Sequence, residues 1–287
     1  MKHLIILISM IGFQLGYGQL HELSIGLGAA SYAGDLNTPD QLSSLTKQAH
    51  TSYSIGYRYN FKNYLSAGIS LYHMNVSGYD SDNKSTKNYD DEYFRIARNL
   101  SFFSAINQAF IDLQYEPLRD ETNWSSGKTL ISPFVSAGFG MFAFNPKAKY
   151  NGQDVELQPL GTEGQGTAGK QGKYSTTAIS FPLGLGVKVY DPSRRFSLAL
   201  DLNYSITTTD YIDDVSTVYA DPSILSSPTA IALANRYNGK VGEEYINGVG
   251  QTRGNPNAND GFFTTQLKFS FFLNNVERGS YYRCCGF

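Results

Sequence analysis

Ile179-Ser-Phe-Pro-Leu-Gly-Leu-Gly-Val-Lys-Val189, the turn Asp191-Pro-Ser-Arg-Arg195 and Phe196-Ser-Leu-Ala-Leu-Asp-Leu-Asn-Tyr-Ser-Ile206 decide the fold. Both runs alternate an apolar residue with a small or polar one, the period of a strand whose two faces meet different surroundings. Asp-Pro-Ser-Arg is good turn chemistry, so the pair reads as an antiparallel hairpin. The same alternation recurs at Leu23–Leu27, Tyr53–Phe61, Leu65–Leu71, Ala109–Tyr115, Val135–Met141 and Leu267–Leu273. Eight strands result, and no position on their oily face carries a charge.

A soluble barrel turns its oily face inward and covers its outer face with Lys and Glu. Here the polar face is Ser, Gly and Asn, with sparse charges at Glu22, Arg58, Asp112, Glu116, Lys188, Asp201 and Lys268. Three positive and four negative groups fit ion pairing across a narrow lumen. Tyr57, Tyr59 and Tyr115 near strand ends match an interfacial aromatic girdle. The expected fold is all-β, an eight-stranded antiparallel transmembrane outer-membrane β-barrel with long extracellular loops. Its connections alternate long and short. Residues 34–50, 77–99, 145–173 and 207–261 are long, while 62–63, 117–128 and 191–195 are short. Short periplasmic turns and long extracellular loops are the rule in such barrels, which places both termini in the periplasm.

The start of the chain reads as a cleaved export signal. Lys2 and His3 precede the apolar run Leu4–Phe13, and Gly16-Tyr-Gly18 offers a small-x-small cleavage site before Gln19. That run is too short to span a bilayer. The domain plan is therefore 1–18 signal peptide, 19–273 barrel and 274–287 periplasmic tail. Aromatics make up 14% of the chain, with 21 Tyr, against 17% charged residues, and 28 Gly are present. The mean hydropathy of -0.30 and the lack of a second long apolar run exclude a helical membrane protein. The net charge of -2 supplies no basic footprint for nucleic acid.

An eight-stranded barrel has an interior that side chains just fill, so a general diffusion pore is not expected. Catalytic signatures are lacking: there is no G-x-S-x-G elbow, H-E-x-x-H helix or P-loop. Beyond the leader, His21, His50 and His73 fall near strand ends or in a loop, without metal-ligand spacing. A rim-located lipid hydrolase using His50 or His73 is the enzymatic alternative, although no nucleophile is marked beside them. Asp210, Asp213, Asp214 and Asp221 open the longest loop. Calcium is one use for them, with loop capping or solvation the favoured one. Gly161-Thr-Glu-Gly-Gln-Gly166 lacks the ending of a phosphate loop and reads as a bend. No cofactor is implied. Cys284 and Cys285 in the tail are candidates for intermolecular disulfides in an oxidising periplasm, or are unconstrained tail residues.

Several blocks along the chain resemble one family. Tyr32-Ala-Gly-Asp-Leu36, Arg98-Asn-Leu-Ser-Phe102, Phe144-Asn-Pro-Lys-Ala148 and Leu157-Gln-Pro-Leu-Gly-Thr-Glu-Gly-Gln-Gly166 are similar to the PorG-like (DUF6089) family. Thr209-Asp-Tyr-Ile-Asp-Asp-Val-Ser216, Arg253-Gly-Asn255 and Asn259-Asp260 extend the resemblance. It implies a non-enzymatic outer-membrane component of the type IX secretion system, often linked to gliding motility. It also implies docking to the periplasmic ring of the lipoprotein PorK and of PorN. On that expectation residues 117–128 and 274–287 are the candidate ring contacts, with Trp124, Cys284 and Cys285 as candidate contact residues. Trp124 could equally pack at the inner aromatic girdle. A stand-alone barrel for adhesion or envelope integrity is the remaining alternative.

Overall fold

The computed structural model describes residues 20–36, 48–82, 91–167, 169–237 and 248–273. The expected leader (1–18) and the tail (274–287) with Cys284 and Cys285 lie outside the described residues. Nine strands succeed one another in chain order: β1 Leu20–Ala33, β2 His50–Lys62, β3 Leu65–Tyr79, β4 Ser101–Tyr115, β5 Leu130–Tyr150, β6 Gln153–Glu156, β7 Thr177–Tyr190, β8 Phe196–Thr207 and β9 Gly261–Phe272. Short helices α1 Asp91–Arg98, α2 Glu121–Ser125 and α3 Pro228–Ala234 sit in the connections. β6 folds back on the tip of β5. The other eight strands form a closed antiparallel sheet: β4 pairs with β5, and β1 pairs with β9.

Register follows the oily face. Ile25 lies opposite Ile55 on one side and Phe269 on the other, and Ile111 lies opposite Phe139. These side chains point outward and are bare, with Ile25 62% and Met141 63% exposed. The largest aliphatic groups are thus the most exposed, all the way round the wall. An apolar belt of that extent is stable only against hydrocarbon, so this is an outer-membrane barrel spanning a bilayer.

Three strands run further than the alternation of the oily face indicates. β3 continues to Tyr79, β4 begins at Ser101 and β5 reaches Tyr150. His73 and residues 145–150, which the sequence assigned to strand ends or loops, therefore lie within strands. The cause is a reversal of phase. Above the belt the apolar residues Tyr72, Met74, Val76, Phe102, Ile106, Phe110, Phe142 and Phe144 turn inward and form a buried core. Strand β4 shows the same reversal on its outer face, where Asn107 is exposed.

Candidate functional site

The lumen is built from the polar face. Arg58 pairs with Asp112 at 2.7 Å, Lys268 with Asp201 at 2.7 Å, and Lys188 with Glu22 at 3.2 Å and Glu116 at 3.6 Å. All seven charges singled out in the sequence are brought together. Gln266 donates to Ser52 while Ser54 donates to it, and Gln108 donates to Ser180 and Ser205. Small residues make the room: a Cβ on Gly68 would lie 3.0 Å from the Arg58 guanidinium. The void left among these groups is about 20 Å³, space for roughly one water molecule. The barrel is a packed rod here, not a channel.

Sequence periodicity missed Arg119, which lies in the β4–β5 connection and is completely buried. It donates to Asn60 at 2.6 Å and approaches Glu116 at 3.3 Å. Its guanidinium stacks 4.2 Å from the centre of the Trp124 ring. Asp120 starts α2 by accepting the Asn123 amide at 2.7 Å, which aims Trp124 back into the barrel mouth. There Trp124 meets Tyr190 edge-on at 5.2 Å and Phe272 at 6.2 Å, with 8% of its surface exposed. Trp124 therefore packs inside the mouth, with its ring over a buried cation.

The same residues join the three short turns. Glu116 donates its amide to the Tyr64 carbonyl at 2.9 Å. Arg194 donates to the carbonyls of Trp124 at 3.2 Å and Asn123 at 3.0 Å. Leu118 remains 48% exposed on this end.

The opposite end is capped by the long connections. Arg98 donates to both oxygens of buried Asp80, at 2.7 and 2.8 Å, and to the carbonyls of Asp35 and Arg253. Arg253 pairs with Glu163 at 2.9 Å, and Glu163 accepts from the Ser216 amide and the Thr217 hydroxyl. Thr162 and Tyr174 donate to Asp214 at 2.5 and 2.7 Å, and the Tyr174 and Tyr211 rings stack at 4.4 Å. Burial holds the Asp214 carboxyl up at about 6, against the pull of Arg253. Most of the blocks that carried the family resemblance thus converge on one polar core, while Phe144 and Ala148 join the apolar core. Of the acidic cluster, Asp221 caps a short turn by accepting the Ser223 amide, while Asp213 and Asp214 are held by hydroxyl and amide donors. Gly161, Gly164 and Gly166 all adopt positive φ, as a bend requires.

The histidines are dispersed. His21 meets the Tyr57 hydroxyl at 2.6 Å, and His73 meets Asn107 at 2.8 Å on the outer wall. His50 contacts the Ser77 hydroxyl at 2.7 Å, but Ser77 is completely buried and gives a scissile bond no path to its oxygen. Among the described residues no group of three His, Cys, Asp or Glu is placed to hold a metal ion.

A family model described as a domain of unknown function, DUF6089, matches residues 1–224. Among curated proteins none matches the chain. Similar solved structures include Neisserial surface protein A, at 10% identity and TM-score 0.41, covering 89% of this chain and 99% of that one. The attachment invasion locus protein Ail of Yersinia pestis, in complex with a heparin analogue, matches at 12% identity and TM-score 0.38, covering 89% and 99%. The N-terminal β-barrel domain of Pseudomonas aeruginosa OprF matches at 10% identity and TM-score 0.36, again covering 89% and 99%.

Proposed function

The chain belongs to the DUF6089 family, and on that premise we propose that it is a non-enzymatic outer-membrane component of the type IX protein secretion system. Its role in this reading is to anchor the periplasmic PorK/PorN ring to the outer membrane. The short-turn end then faces the periplasm and the long-loop cap faces outward, following the loop-length rule of such barrels. The observation that carries the reading is the locked short-turn end, where Arg119 and Arg194 join three turns over a filled lumen. A lumen packed with ion pairs serves transport poorly, whereas a rigid end loses little conformational freedom when a partner docks. Leu118 is the most exposed apolar group of the turn that holds Trp124, and Trp124 itself is occupied in closing the mouth. Cys284 and Cys285 come after β9 in the chain, and a disulfide tether through them accompanies the proposal.

The test is affinity purification of the tagged full-length protein from native outer membranes in mild detergent, with the co-purifying proteins identified by mass spectrometry. Recovery of PorK and PorN, lost in a folded Leu118→Asp variant, is the expected result. A clean barrel with no reproducible partner contradicts the reading.

A further inference from the structure

Tyr32, at the long-loop end of β1, sits between two buried carboxylates. Its hydroxyl oxygen lies 2.7 Å from Asp213 Oδ2 and 2.5 Å from Asp260 Oδ1. A phenol has one proton and donates it once. The second contact needs a second proton, and only a carboxylic acid can hold it there. The other oxygens are already used: Asp213 Oδ1 accepts the Val215 amide and Asp260 Oδ2 accepts the Ile212 amide, each at 2.8 Å. Asp210 adds a third carboxyl, 7% exposed, with the Ser216 hydroxyl as its neighbour and no cation paired with it among the described residues.

The surroundings supply little positive charge. Asp35 faces the cluster from the end of β1, Glu163 and Tyr174 from the β5–β7 connection, and Tyr204 from β8. Arg98 faces it from the end of α1, and Asp214 and Arg253 lie beyond in the β8–β9 connection, engaged with Glu163 and with each other. Arg98 is committed to Asp80 and Arg253 to Glu163. Among the described residues, Asp210, Asp213 and Asp260 form no ion pair with a guanidinium, and no group of three His, Cys, Asp or Glu is placed to hold a metal ion. Protons are the charge that balances them.

We infer that Asp213, Tyr32 and Asp260, with Asp210 beside them, form a proton-held lock that keeps the long-loop cap closed and weakens it as pH rises. The lock ties both ends of the longest connection to the first strand, at the seam where the barrel closes. Burial, reinforced by the neighbouring carboxylates, holds Asp213 and Asp260 well above the usual carboxyl range and Asp210 up at about 7. Groups raised in this way contribute fully below their unfolded value of about 4, and the contribution falls as pH climbs toward the folded value. Each proton retained only by the closed cap makes opening about tenfold easier per pH unit.

The experiment uses the full-length protein folded in detergent, between about pH 5 and pH 9. Infrared difference spectra read the C=O stretch of protonated carboxyls, and limited proteolysis reads cap opening. Trp124 fluorescence, at the far end of the barrel, reports that the barrel stays folded. A protonated-carboxyl band at neutral pH is expected, reduced in both Asp213→Asn and Asp260→Asn. Cleavage of the cap should accelerate at least about tenfold per pH unit, with a shallower slope in either variant because the amide keeps its protons at every pH. Absence of the band, or a band unchanged in both variants, overturns the lock. So does cap cleavage that is independent of pH. The infrared measurement on the unsubstituted protein decides the matter even if a variant fails to fold.

Discussion

Lys188 shows how individual residues hold the barrel. Its ammonium stands between Glu22 and Glu116 with almost no surface exposed, so removing it strands two carboxylates in a dry interior. Breaking a buried pair on one side costs about 3–5 kcal/mol, whereas removing both partners costs far less. Lys188→Met should therefore lower the unfolding free energy in urea by about that amount, and Glu22→Gln added to it should restore part of the loss. Equal, additive losses would show that these charges do not interact. The seven lumen charges were legible in the sequence because six fall on the polar phase of regular strands and Glu116 continues that phase one residue past the end of β4. Arg119 was not, since it lies in a turn where no period applies. The Tyr32 contacts were also hidden, because Asp213 and Asp260 belong to opposite ends of the longest connection and only the folded cap brings them together.

Strands carry a second kind of information. On β4 the outward residues Ile111, Leu113 and Tyr115 meet lipid, while Asn107 on the same face lies above them and Ile106 and Phe102 face the cap core. The eight strands and the order of their connections were legible because the belt imposes one phase on every strand. The upper parts of β3, β4 and β5 were not, because their apolar residues change faces where the wall leaves the membrane. That reversal is itself a boundary marker. Ile111→Arg, within the belt, should cost about 2–4 kcal/mol in lipid vesicles, falling to about 0–1 kcal/mol for Asn107→Arg near the interface. Equal costs at the two positions would place the membrane boundary elsewhere on β4.

As a whole the molecule is a rod sealed at both ends: an ion-paired lumen, a Trp124–Arg119 plug at the short turns and a polar cap over an aromatic core at the long ones. Its architecture was readable from the alternation, and the candidate docking end only in part. Trp124 drew notice as a contact anchor or a packed girdle residue, and its ring lies over a buried guanidinium inside the mouth. The proposed docking role therefore rests on the shape and rigidity of an end, with Leu118 as an apolar point on it. The most direct measurement is photo-crosslinking in living cells, with a photoreactive residue placed at Leu118 on the short-turn end or at Val249 on the cap. A discrete adduct containing the ring lipoprotein from position 118, and none from position 249, is the predicted result. No ring adduct from 118, or the same adduct from 249, would contradict both the docking role and the orientation it requires.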